Sequence, residues 1–203
     1  MIVKFVWPTI AVLTVLVFAL VGVSIGEPAE PRGVIRGSGD YPQVAEFPKR
    51  LAAVTDPANR AKYVLLLDQA SFYPLFKKEA YSPVPVASTT KMMTALVVRE
   101  HYKLSEIVTV SSKATAQTGS DTGLVPGEKL TVESLFSALL IQSGNDAAYA
   151  LAEHSGGMEL FIGWMNEKAR QLGMRSTIFN DPAGLDDSGR STAFELGILA
   201  AHF

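Results

Sequence analysis

Two spacings of hydrophobic residues alternate along this chain, and they divide it into strands and helices. Residues 62–68 carry Val64, Leu65, Leu66 and Leu67 as one unbroken apolar block, which predicts a short buried strand. Residues 71–77 read as its antiparallel hairpin partner, with Pro74 marking an edge or a bulge. Gln69 and Ala70 make a poor turn between them, because tight hairpin turns favour Gly or Asn. Beyond Ser88 the period changes. Met92, Met93, Leu96 and Val97 recur at helical spacing, predicting a helix that ends near His101. Pro83 and Pro85 keep its approach extended. Residues 106–110 alternate as a short strand, and 119–127 form a polar, Gly-rich loop. Residues 131–141 and 146–153 read as two helices joined by a tight turn. Leu160, Phe161, Trp164 and Met165 make a helical stripe over 157–172 that Gly173 stops, with Trp164 assigned to the core. A last helix opens at Ser191 or Thr192, with Glu195 completing a capping box from Thr192.

The first 25 residues follow neither period. Lys4 is their only charge, and residues 5–25 are apolar apart from Pro8 and small polar side chains. At ~1.5 Å per residue the run is about 30 Å long, enough to cross a bilayer core. Gly22-Val23-Ser24 offers only a weak cleavage site, so an uncleaved membrane anchor is favoured over a cleaved signal. Either outcome delivers the rest of the chain outside the cytoplasm. Residues 26–60 are rich in turn and linker chemistry and read as a tether. The domain proper is therefore expected over 61–203.

Composition narrows the chemistry. The net charge of −2 gives no support to nucleic-acid binding. The chain has no cysteine, which excludes disulfides, thiol catalysis and a lipoprotein anchor. His101, His154 and His202 do not share metal-ligand spacing, and no Gly-x-Ser-x-Gly elbow occurs. They are assigned to the surface or to helix ends, and no metal or organic cofactor is expected.

What remains is serine chemistry. Ser88 and Lys91 lie three apart at a helix mouth, so their polar ends can meet on one face. A serine hydroxyl is a poor nucleophile until a base takes its proton, and a lysine kept neutral by burial can do so. Ser88 could instead be a plain N-cap and Lys91 a solvated residue. A first-turn lysine, however, opposes the helix dipole, so capping alone does not select it. Downstream, Ser143-Gly144-Asn145 joins two predicted helices, with the glycine supplying the turn.

Together these segments resemble the D-alanyl-D-alanine carboxypeptidases, low-molecular-mass penicillin-binding proteins of serine peptidase family S11. Ser-x-x-Lys and Ser-x-Asn are two of that group's three signatures. The run from Ala87 to Thr94, Ala-Ser-Thr-Thr-Lys-Met-Met-Thr, is similar to the family's nucleophile segment. Ile141-Gln142-Ser143-Gly144-Asn145-Asp146-Ala147 resembles the second motif, and Asp181-Pro182-Ala183-Gly184-Leu185-Asp186 a loop that follows it. The resemblance implies an α+β (α/β) serine β-lactamase/DD-peptidase fold, in which an antiparallel sheet packs on helices beside a helical region. It implies Ser88 as nucleophile, Lys91 as base, Ser143 as proton relay and Asn145 as the residue that binds the peptide amide. The implied substrate is a peptidoglycan stem peptide, and β-lactams are the implied inhibitors.

The third signature, Lys-Thr-Gly or Lys-Ser-Gly, is absent. The expectation is a C-terminally incomplete sequence, with the later strands of the sheet missing. Two other readings stay in view. A β-lactamase needs a glutamate to activate water, and Glu167 follows Trp164 without a Glu-x-x-Leu-Asn pattern. A non-catalytic, membrane-tethered module would keep the fold without the chemistry.

Overall fold

The computed structural model describes residues 55–56 and 60–203. The proposed anchor at 1–25 and nearly all of the tether at 26–60 lie outside the described residues. Among the described residues, no helix is long and apolar enough to cross a membrane.

Strand β1 (Val64–Leu67) pairs antiparallel with β2 (Pro74–Lys78), and Leu65 faces Lys77. The register slips between Leu66 and Leu67, where Pro74 enters. Pro74 has no N–H to give the ladder, so the irregularity expected there is present. The loop manages without Gly or Asn. Asp68 accepts the Ser71 N–H at 2.7 Å, and Phe72 takes the left-handed conformation at φ 58.

A 3₁₀ turn (Ala87–Thr89) runs into helix α1 (Thr90–His101). Among the described residues helix α1 is central: Met93, Ala95, Val97 and Val98 are fully buried. Of the stripe read from the sequence, Met93 and Val97 lie in the core, while Met92 and Leu96 are only partly buried. Strand β3 (Ile107–Thr109) pairs with β4 (Lys129–Thr131), Val108 opposite Leu130. Strand β4 and the four-residue helix α2 (Ser112–Thr115) are too short to leave a periodic signal, and neither was anticipated. The described strands thus form two separate two-stranded antiparallel ribbons.

Helices α3 (Val132–Ile141), α4 (Asn145–Glu153), α5 (Met158–Gln171) and α6 (Ala193–His202) pack around α1. Gly173, at φ 76, lies just past the end of α5. Helix α6 lies on β1, where a side chain at Gly197 would come within 2.9 Å of Leu67 and 3.0 Å of Leu65. Thr192 is the cap of α6 and accepts the Glu195 N–H at 3.0 Å. The reciprocal half of the predicted capping box does not form. The Glu195 carboxylate turns away to Ser176 N at 2.9 Å and Thr177 Oγ1 at 2.6 Å, tying α6 to the preceding loop. Trp164 packs at the rim of the core and stacks on His101 with centroids 3.9 Å apart. His101 and His202 sit in the last turns of α1 and α6, and His154 caps α4 beside Glu106. The histidines therefore occupy the helix-end positions expected of them.

Candidate active site

The two serine motifs meet behind the 3₁₀ turn. Ser88 is exposed, while Lys91, three residues on, is only 3% exposed. Lys91 Nζ lies 3.2 Å from Ser88 Oγ, 2.7 Å from Asn145 Oδ1 and 3.1 Å from the Ala183 carbonyl. An ammonium has three N–H donors, and three acceptors surround it. A neutral amine keeps two of those donors and gains a lone pair. The amide and carbonyl oxygens can only accept, so the lone pair faces the one partner that can donate, the Ser88 hydroxyl. Burial pushes the Lys91 amine below its ordinary value, and the Asp181 carboxylate partly opposes that fall. A lysine in this setting can act as a base, and the solvated-lysine reading is excluded by its burial.

The backbone at the nucleophile is strained. Ala87 holds φ 45, a left-handed conformation that costs a non-glycine residue roughly 1 kcal/mol. Such strain is typical where surrounding structure fixes a reactive group. Here the surrounding structure is the loop at Gly184. A Cβ on Gly184 would lie 1.9 Å from the Ala87 carbonyl oxygen, so only glycine lets the two backbones touch. The Ser88 N–H lies in the first turn of the helical run, ahead of the intrahelical bonding pattern, and is suited to an oxyanion.

The second motif departs from its expected geometry in one respect. Gly144 does not supply the left-handed turn; Ser143 does, at φ 57, while Gly144 is extended at φ −60 and ψ 121 and caps α4. Glycine is needed at 144 for closeness. A Cβ there would come within 2.7 Å of Thr122 and 2.8 Å of the Asp146 carboxylate. Ser143 lines an open cleft of about 350 Å³ together with Ser88, Lys91, Met92, Leu139 and Leu140. The described structure therefore places all three candidate catalytic residues on one cavity.

Asn145 is buried, and both ends of its amide are engaged within the protein. Oδ1 holds Lys91, and Nδ2 donates to the Thr118 carbonyl at 2.6 Å. Asn145 is only 3% exposed and does not itself line the Ser88 cleft; it meets that cleft through Lys91. The Gly-rich loop is thus more than a linker between elements. Ser120 accepts the Asn145 N–H at 2.7 Å, and the Asp146 carboxylate binds Thr122 N at 2.9 Å. Gly119 gives Asn145 room, since a Cβ there would sit 3.1 Å from Nδ2.

Ala183, Gly184 and Asp181 were not among the expected site residues. Asp-Pro-Ala-Gly is visible turn chemistry, but nothing local says that its carbonyl reaches a lysine 92 positions away. Glu167, the residue a β-lactamase reading would need, is exposed and paired with Arg170 at 2.5 Å on α5. It is committed there and does not line the Ser88 cleft. Among the described residues, no cluster of three or more acidic or histidine side chains is placed to hold a metal.

Known proteins share this fold and much of this sequence. The family model for Peptidase S11, D-alanyl-D-alanine carboxypeptidase, matches residues 50–203. D-alanyl-D-alanine carboxypeptidase DacF of Bacillus subtilis is 37% identical over 150 residues, covering 70% of this chain and 39% of its own. DacC of Escherichia coli is 38% identical over 159 residues, covering 72% of this chain and 40% of its own. The chain thus spans about two fifths of the length of these curated relatives. A Mycobacterium tuberculosis D-alanyl-D-alanine carboxypeptidase structure superposes with TM-score 0.72 at 34% identity, over 74% of this chain and 58% of that one. Penicillin binding protein 5 from Haemophilus influenzae gives 0.70 at 33%, over 74% and 46%. The fold is that of the DD-peptidases, and the chain belongs to the D-alanyl-D-alanine carboxypeptidase family, Peptidase S11.

Proposed function

We propose that this chain carries the nucleophile and base of a serine D-Ala-D-Ala carboxypeptidase acting on peptidoglycan stem peptides. The observation that carries the reading is the buried Lys91 amine, 3.2 Å from Ser88 Oγ and held by Asn145 and Ala183. Ser88 Oγ attacks the carbonyl of the penultimate D-alanine as its proton passes to Lys91 Nζ. The C–N bond to the last D-alanine then breaks, and the leaving amine takes a proton through Ser143. Water attacks the ester, and the shortened peptide leaves as its carboxylate while the Ser88 hydroxyl is restored. Asn145, which holds the Lys91 amine through Oδ1, is the residue assigned to the peptide's amide carbonyl. A β-lactam amide presents the same kind of carbonyl, so penicillins are expected to acylate Ser88. The apolar run at 5–25 supports a membrane-anchored enzyme with this domain on the outer face.

The test is release of D-alanine from a peptide ending in D-Ala-D-Ala by the full-length protein. Loss of release in Ser88→Ala, with folding retained, is expected. Release that survives in Ser88→Ala would refute the assignment.

A further inference from the structure

Asp181 takes no direct part in that reaction, yet its side chain is deeply placed and fully used. It is 7% exposed. Oδ1 accepts the N–H groups of Ala183 at 2.6 Å, Gly184 at 2.6 Å and Leu185 at 3.2 Å. Oδ2 accepts the N–H of Asp186 at 2.7 Å. Successive N–H groups gathered on one anion form a nest, and a nest turns its carbonyls outward. Two of those carbonyls land on α1. Pro182 O accepts from Thr94 Oγ1 at 2.6 Å, and Ala183 O accepts from Lys91 Nζ at 3.1 Å. The loop's entry is pinned as well: the Asn166 side chain donates to Phe179 O at 2.7 Å and accepts from Phe179 N at 2.9 Å.

We propose that Asp181 is a positioning residue for acyl transfer: it winds residues 182–186 into the shape that presses the Ala183 carbonyl onto the Lys91 amine beside Ser88. This rests on the reading of Lys91 as the base. The same carboxylate also acts on Lys91 by charge, favouring its protonated form against burial. Other titratable groups face this region from neighbouring elements. Asp146 on α4 is occupied by Thr122 and Leu124. Tyr149 on α4 is pushed up, first by burial and then by Asp181, and stays neutral. Asp186, in the loop itself, is exposed and bonded to Ser188. The cleft walls at Met92, Leu139 and Leu140 are apolar.

The experiment is the pH dependence of acylation by labelled penicillin, in the full-length protein and in Asp181→Asn. Asparagine keeps the shape but removes the charge, and its Nδ2 meets the Asp186 N–H donor to donor. The plateau rate should fall about 10- to 100-fold. The midpoint should move to lower pH, because the protonated amine has lost a stabilising anion. A role confined to folding would lower the active fraction without moving the midpoint, so an unmoved midpoint overturns the proposal whatever the plateau. If Asp181→Asn does not fold, Asp181→Glu carries the test. Its charge is kept on a longer stem, so the midpoint should hold while the plateau falls at least about tenfold; a plateau equal to that of the unaltered protein overturns the proposal. Lys91→Arg separates the two claims. Near-normal acylation there refutes Lys91 as the base. Abolished acylation there, with an unmoved Asp181→Asn midpoint, refutes Asp181 alone.

Discussion

Gly184→Ala is the substitution whose cost can be worked most directly from the structure. The added Cβ would lie 1.9 Å from Ala87 O, 2.4 Å from Ala87 C and 2.9 Å from Thr90 Oγ1. Ordinary non-bonded contact needs about 3.5 Å, so the loop and the nucleophile turn must part by more than about 1 Å. The residue also sits at φ 80, where alanine pays about 1–2 kcal/mol. Overpacking adds about 1–3 kcal/mol. The sum of about 2–5 kcal/mol is a large part of a domain's usual margin of about 5–15 kcal/mol. At about 2–4 °C per kcal/mol for a chain of this size, the melting point should fall by roughly 5–20 °C. The parting also draws Ala183 O from Lys91 and disturbs Ala87 beside Ser88. Misplacement on that scale costs up to about 100-fold in rate. Thermal unfolding and stopped-flow labelling with a reporter penicillin would read both effects in the full-length protein. An alanine variant that melts within about 1 °C of the unaltered protein and labels at the same rate would refute the packing argument.

Acylation of the unaltered protein should rise with pH, about tenfold per unit, and level off where the Lys91 amine becomes neutral. The sign follows from the shift: burial lowers this group, so the plateau should begin below the ordinary lysine value of about 10.4. A flat profile, or one that falls with pH, would contradict the role. Asn145→Ala removes the 2.7 Å acceptor from Lys91 and leaves the Thr118 carbonyl without its donor. Each buried group left unpaired costs about 1–3 kcal/mol, so both the melting point and the labelling rate should drop, and an unchanged rate would remove Asn145 from the site.

The helices were legible because their apolar positions repeat over about two and a half turns or more. The 131–141, 146–153 and 157–172 readings each sit within a residue of the observed α3, α4 and α5. Strand β4 was not legible, since three residues cannot show a period and Thr131 looked like the start of a helix. Ser88, Lys91, Ser143 and Asn145 could be named because they fall in short motifs that resemble a known family. Gly144 was read correctly as necessary but for the wrong reason. Local turn chemistry suggests a left-handed glycine, whereas the constraint is the approach of Thr122 from 22 positions away. Glu195 failed similarly: its spacing suits a capping box, but the N–H of Ser176 and the hydroxyl of Thr177 compete for its carboxylate. Asp181 and Ala183 act through contacts that only the tertiary fold creates. Short elements aside, each miss is a long-range contact overriding a local preference.

The central claim is that Ser88 is acylated because Lys91 takes its proton. The most direct measurement is peptide mapping by mass spectrometry after labelling the full-length protein with penicillin. The account predicts one covalent adduct on Ser88, absent from Ser88→Ala and strongly reduced in Lys91→Arg, whose guanidinium stays protonated. An adduct on another residue, or one that persists in Ser88→Ala, would contradict it.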